Sequence, residues 1–461
     1  MPSPYMRREG VKEQDMKRIG CQCASEQEWS RRDFIKVGSL GFLGMHLSQS
    51  LMLEQAFAAR TGASPQGQAK SVIMVWLEGG PSQKDTFDPK PSSAFRPIST
   101  NVPGIQVSEL LPELAKRMDK MSIIRSMRSF GDDHPQAVHY AATGHEINSA
   151  MKFPSWGSIV GKELGPTNAL PPYIFVPSWD NKKQYEDYFR SAFLGPDYDP
   201  MMIPDPSKDD FEVADLSLPK SLAEAAMSER LDFQKAIDRM YRERVESLEH
   251  AEMDSFTQKA WQMILAPEVQ QAFDIANESD KTKDAYGRDS VGQSLLLARR
   301  MVESGVRFVT AAGYHSNLWD THSKNDERHR DRLCPRLDKS LSALLDDLVD
   351  RGLYDSTVVV VMGEFGRTPE HNPALGRDHW PNCWSMMIGG GGIQGGRVVG
   401  ASDERGAFIA DRRVTVGDLF ATVYKALGID WTKEYMTPIG RPLKIANSID
   451  DTTGEPVHEL F

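Results

Sequence analysis

Residues 356–384 read "STVVVVMGEFGRTPEHNPALGRDHWPNCW". The run from Thr357 to Met362 is apolar, largely β-branched and free of polar alternation. That pattern predicts a strand buried on both faces, as in a parallel sheet. The chain leaves it through Gly363 and at once presents Glu364, Arg367, His371, Asp378 and His379 among turn-forming Gly, Pro and Asn. In an open parallel sheet, ligands bind beyond the carboxyl ends of the strands. The question is which other segments reach the same edge.

Four further runs read as buried strands: "SVIMVWL" (Ser71–Leu77), "MSIIRSM" (Met121–Met127), "PYIFVP" (Pro172–Pro177) and "VRFVTAAG" (Val306–Gly313). Between them, Glu109–Asp119, Gly292–Ser304 and Leu333–Arg351 carry apolar residues at helical spacing. The expected fold is therefore α/β, a mostly parallel central sheet with helices on both faces. Residues 59–461 are expected to form one such domain. A charged, strand-poor stretch, about 197–286, reads as a helical insertion, and "GGGGIQGG" (Gly389–Gly396) as a tight connection.

The first 58 residues differ. Arg31 and Arg32 precede Phe34 and Lys36, a mildly apolar run follows from Val37 to Leu53, and Ala56-Phe57-Ala58 offers an A-x-A cleavage pattern. The order resembles a twin-arginine export signal, which implies contact with that export machinery and a periplasmic or secreted product. No run of about 18 uninterrupted apolar residues predicts a membrane span in the mature chain. The 461 residues carry a net charge of −11, which argues against nucleic acid or an anionic membrane surface as general partner. Beyond the signal, Cys334 and Cys383 remain, open to a disulfide or to two buried thiols.

The post-strand segments concentrate metal-binding side chains. The first offers Glu78, Asp85 and Asp88, and the next offers Asp132, Asp133, His134, His139 and His145. His315, Asp320 and His322 follow the fourth strand run, and Glu364, Asp378 and His379 follow the fifth. Carboxylate and imidazole together suit Zn²⁺, Mn²⁺ or Fe²⁺, and carboxylates alone also suit Mg²⁺ or Ca²⁺. "WDTH" and "GRDHW" each put a carboxylate near an imidazole, as a ligand or as a partner that fixes the ring. A structural role in packing and hydrogen bonding is the alternative for each histidine alone.

"LEGGPSQKDTFDPKP", "WDTH", "GEFGRTP…GRDHWP" and "GGGGIQGGRVVG" resemble the signatures of the bacterial family called domain of unknown function 1501. That family is similar to the alkaline phosphatase and sulfatase superfamily, whose tail the stretch Thr415–Leu443 resembles. The resemblance implies a metal-dependent hydrolase of phosphate or sulfate esters, acting on an anionic small molecule or polysaccharide ester. Its alternative is a non-catalytic protein that binds an anionic ligand. The implied metal ligands are Glu78, Asp320, His322, Glu364 and His379, with zinc favoured and manganese, calcium or magnesium also suitable. Asp85, His139, His315 and Asp378 would support them. Two departures stand out. Phe365 occupies the place of a ligand histidine. His134 occupies the place of the usual Ser, Thr or Cys nucleophile, with neither Ser129 nor Thr143 as a substitute. His134 as base or nucleophile, and Arg367 or Arg377 holding an ester oxygen, complete the expected site.

Overall fold

A computed structural model describes residues 67–179, 183–213, 263, 266–314, 318–448 and 451–461. The export signal, most of the helical insertion and His315 lie outside the described residues.

The core is an eight-stranded sheet. Its strands are β1 (Ser71–Trp76), β2 (Ser122–Met127), β3 (Tyr173–Val176), β4 (Met201–Met202), β5 (Phe308–Ala311), β6 (Thr357–Met362), β7 (Trp384–Gly389) and β8 (Val398–Val399). They lie in the order β8-β2-β7-β6-β1-β5-β3-β4. β1 pairs in parallel with β5 and β6, and β3 in parallel with β5 and β4. Only β7 runs against its neighbours β2 and β6.

The continuous apolar runs follow from cover on both faces. Alternate residues of β1 point to opposite sides: Val72, Met74 and Trp76 join one core, and Ile73 and Val75 join the other. β6 divides likewise, Val358, Val360 and Met362 from Val359 and Val361. Packing the first face are α1 (His134–Thr143), α2 (Trp156–Leu164) and α7 (Val416–Leu427). The second face takes α3 (Pro267–Phe273), α5 (Ser290–Glu303) and α6 (Cys334–Asp350). Between these last elements α4 spans Asp280–Tyr286. The strands inside the sheet thus satisfy their backbone laterally, and β1 and β6 bury side chains both ways, which leaves them no polar face to alternate.

Three expectations change in detail. Glu109–Asp119 holds only a four-residue helix, Pro112–Ala115, because Pro112 starts it and turns close it at once. The strand-poor stretch from 197 contributes one short strand, Met201–Met202, which extends the sheet edge beside β3. Strand β7 was hidden in "WSMMIG", where Met and Gly give little β signal, and the glycine-rich segment after it leads to β8. Cys334 and Cys383 are both buried free thiols. No helix of the described residues is long and apolar enough to cross a membrane.

Candidate metal centre

β1, β2, β5 and β6 run the same way, so the segments that leave their carboxyl ends emerge at one edge. Four loops meet there. The backbone N–H of Trp319 donates to Glu78 O at 3.0 Å, and that of Arg377 donates to Thr321 O at 2.9 Å. Asn372 Nδ2 donates to His322 O at 3.0 Å. Close approach requires glycine at two points. A Cβ on Gly79, whose φ is +106°, would stand 2.4 Å from the Asp320 nitrogen. One on Gly376 would meet the His322 carbonyl at 2.0 Å.

Asp320 is the hub. Its Oδ1 lies 3.1 Å from His379 Nε2, 3.1 Å from His322 Nε2 and 2.7 Å from an Nη of Arg367. Its Oδ2 lies 3.3 Å from His134 Nε2. The Nε2 atoms of His322 and His379 are 3.0 Å apart. Side-chain exposure rises from 11% at His134 and 17% at His379 to 47% at His322, so the cluster opens to solvent on the His322 side.

The other ring nitrogens decide the chemistry. His322 Nδ1 meets Asp378 Oδ1 at 2.7 Å, and His379 Nδ1 meets the backbone carbonyl of Asp132 at 2.6 Å. His134 Nδ1 meets Glu364 Oε1 at 2.8 Å, an oxygen that also accepts the Gly79 N–H at 2.9 Å. All three partners are acceptors, so each Nδ1 donates. In a neutral imidazole the Nε2 must then carry a lone pair. With all three rings neutral, three lone pairs face one carboxylate. Acceptors at these separations repel unless protons or a metal ion stand among them. Four ligands at about 2.0–2.1 Å from a tetrahedral zinc ion stand roughly 3.3 Å from one another, and the 3.0–3.1 Å spacings among Asp320 Oδ1, His322 Nε2 and His379 Nε2 come close to that edge. The donor set fits a divalent transition ion on geometry and on tautomer.

Charge around the hub is strongly biased. Burial alone would raise the Asp320 pKa, but the close approach of His134 and His379 and the Arg367 charge hold it well below the usual carboxylate range. Burial disfavours charge on His134, but the carboxylates of Asp320 and Glu364 override it and lift its pKa to about 9. The His134 Nε2 contact with Asp320, at 3.3 Å, is one of charge without hydrogen-bond alignment. Phe365 supplies packing where a ligand was expected. Its buried ring stacks on His379 at 4.5 Å and lies 5.1 Å from His134.

The remaining expected residues fall into place around this cluster. Asp378 holds His322, and Asn372 Nδ2 donates to the same Oδ1 at 2.9 Å. Glu364 points at His134 and Gly79, so it orients a ring where direct ligation was the expectation. Glu78 is fully buried, and His134, Asp320 and His379 form the metal-capable group among the described residues, without Glu78 and with His322 at its exposed border. Arg367 differs most from expectation. It is fully buried, with Nε on Gly80 O at 3.0 Å, one Nη on Arg377 O at 3.1 Å and the other on Gly79 O and Asp320. A guanidinium so engaged cannot present itself to an ester oxygen, and its role is to hold Asp320. Arg377 is buried against Asp85 at 2.8 Å. That pair, with Ser82, Ser93 and Asn325, forms a separate polar network behind the cluster, so Asp85 supports the loops and not a ligand. His139 turns away, with Nδ1 on His145 O at 2.9 Å and its ring edge-on to Phe153 and Tyr188. The Asp132 carbonyl had no signal in the sequence, since every residue carries one.

A family model described as "Protein of unknown function (DUF1501)" matches residues 69–461. No curated protein matches the chain. Among solved structures, the chain is similar to the lipoteichoic acid synthase LtaP from Listeria monocytogenes, with 12% identity, TM-score 0.38, and 82% of this chain and 76% of that chain covered. It is similar to the PsFucS1 sulfatase from Pseudoalteromonas sp. at 11% identity, TM-score 0.38 and coverage of 81% and 70%. For the phosphonate monoester hydrolase SpPMH from Silicibacter pomeroyi the values are 11%, 0.32, 79% and 74%.

Proposed function

The chain belongs to the family described as Protein of unknown function (DUF1501), and we propose that it is an exported, metal-dependent hydrolase of phosphate or sulfate esters. One observation carries this reading: the Nε2 atoms of His322 and His379, whose Nδ1 atoms are both engaged by acceptors, face each other and Asp320 at 3.0–3.1 Å. Asp320, His322 and His379 hold the ion, and zinc suits two or more imidazoles with one carboxylate. When bound, the ion supplies Lewis acidity toward an ester oxygen and lowers the pKa of water. Asp378 and the Asp132 carbonyl keep the rings in register. Arg367 offsets the Asp320 charge from behind. An anionic small-molecule or polysaccharide ester enters from the exposed His322 side. The motif likeness to the alkaline phosphatase and sulfatase superfamily supports the ester class, and the Arg31-Arg32 signal supports export to the periplasm or beyond.

A second reading, binding of an anionic ligand without turnover, is favoured by His134 standing in place of a Ser, Thr or Cys nucleophile and by the burial of Arg367 and Arg377. The test begins with elemental analysis of protein matured through its own export route, beside His322→Ala and His379→Ala. One ion per chain, lost in both variants, is expected. Equal metal in all three proteins removes the centre. Turnover of aryl phosphate or aryl sulfate by the loaded protein then separates the two readings, and its absence favours binding alone. Export is tested by changing Arg31 and Arg32 to Lys, which should leave precursor in the cytoplasm; unchanged export of that variant would refute it.

A further inference from the structure

We infer that His134 is a fourth ligand of this centre, through Nε2, and neither a nucleophile nor a general base. The inference rests on the reading above that the cluster holds a divalent ion, and it deepens that reading by changing the role of one residue.

Three observations carry it. First, one donor atom each from His134, Asp320 and His379 lie within 4.8 Å of one another, which lets a single ion reach all three. Second, His134 Nε2 is buried and has no aligned hydrogen-bond partner, although it lies only 3.3 Å from Asp320 Oδ2. That geometry calls for a positive charge between nitrogen and carboxylate, and a metal ion on Nε2 supplies it once the ring is neutral. Third, Glu364 occupies Nδ1 at 2.8 Å, and Glu364 is itself fully buried and tied to the Gly79 N–H. A carboxylate that grips the far nitrogen of a histidine is the usual companion of a metal-bound ring.

The position of the ring argues the same way. A base or nucleophile needs access to the substrate, and the open side of the cluster is at His322. His134 is the innermost of the three imidazoles, with the Phe365 ring 5.1 Å away and His379 packed edge-on at 4.4 Å. With Nδ1 donating to Glu364 and Nε2 on the ion, His134 has no nitrogen left to attack phosphorus or sulfur. Hydrolysis here would then proceed without a phospho- or sulfohistidine.

The test uses the full exported chain, stripped of metal and titrated with Co²⁺ and Zn²⁺. Wild type, His134→Ala, His134→Gln and Glu364→Gln are compared, with exposed His371→Ala as the control. Circular dichroism and thermal melts show which variants fold. Expected is at least tenfold weaker binding in both His134 variants and a changed Co²⁺ visible spectrum, with His371→Ala unchanged. In wild type, long-range ¹H–¹⁵N spectra of labelled imidazoles should show the His134 Nε2 signal moving on zinc addition together with those of His322 and His379. A His134 Nε2 signal that stays still, or a folded His134 variant with wild-type affinity and spectrum, overturns the inference while leaving the centre intact. No uptake by wild type would instead overturn the centre itself.

Discussion

Asp378 Oδ1 lies 2.7 Å from His322 Nδ1, so the most exposed imidazole of the cluster is held by the carboxylate next in sequence to His379. The pairing orders two rings at once. Asp378 turns His322 Nε2 inward, and the following residue brings His379 Nε2 to 3.0 Å from it. Replacing Asp378 by Asn removes the obligate acceptor but keeps the shape. Zinc affinity should fall by about ten- to a hundredfold, read by competition with a chromophoric chelator, with little change in the thermal melt of the metal-free protein.

Arg367→Met tests the charge behind Asp320. The side chain is fully buried and its Nη stands 2.7 Å from Asp320 Oδ1. Removing one partner of a buried pair leaves the other uncompensated, at a cost of about 3–5 kcal/mol. Urea unfolding should show that loss. A variant as stable as wild type would mean that the guanidinium is not what holds Asp320.

Metal removal should lower stability, because the unfolded chain cannot assemble ligands from loops so far apart in sequence. At a free ion concentration a hundred times the Kd, the bound form gains about 2.7 kcal/mol. Melting temperature should therefore rise with added zinc and fall with chelator. A melting temperature indifferent to both would count against a specific site.

Acid should act on the network behind the site. Burial alone would raise the Asp85 pKa, but Arg377, His329 and hydroxyl hydrogen bonds bring it from 3.8 down to about 2. A carboxylate with a depressed folded-state pKa contributes stability that is complete above its unfolded value and is lost as pH falls toward the folded one. Between pH 4 and 2 the protein should lose about 2 kcal/mol from this group. Asp85→Asn should be destabilised at neutral pH, with a shallower loss across that window in pH-resolved urea melts.

Gly79→Ala should be among the more damaging small substitutions. The residue sits at φ +106°, and its Cβ would stand 2.4 Å from the Asp320 nitrogen. Strain and displacement together should cost more than about 1 kcal/mol. The same shift should weaken zinc binding, because the loop it pushes carries Asp320.

Local pattern carried much of this protein into view. The valine run of β6 and the apolar run of β1 announce burial on both faces, and with intervening helices that implies parallel pairing and a ligand edge at the strand ends. The histidines and carboxylates of the loops announce a cation chemistry. β7 escaped because methionine and glycine carry weak strand preference, and its antiparallel direction is set by the neighbours it fills between. Roles within the cluster lay beyond any local pattern. Arg367 was expected to face a substrate and instead faces Asp320, and Glu364 was expected on the ion and instead grips His134.

The sequence by itself determined which strands are buried, which edge gathers the loops, and which residue types gather there, because hydrophobic periodicity and turn chemistry act over a few neighbouring residues. Only the tertiary structure decided which nitrogen of each imidazole is free and which carboxylate holds it. Those pairings join residues 56 apart for His322 and Asp378 and 230 apart for His134 and Glu364. A hydrogen bond across such a span exists only once the whole sheet has brought its loops together.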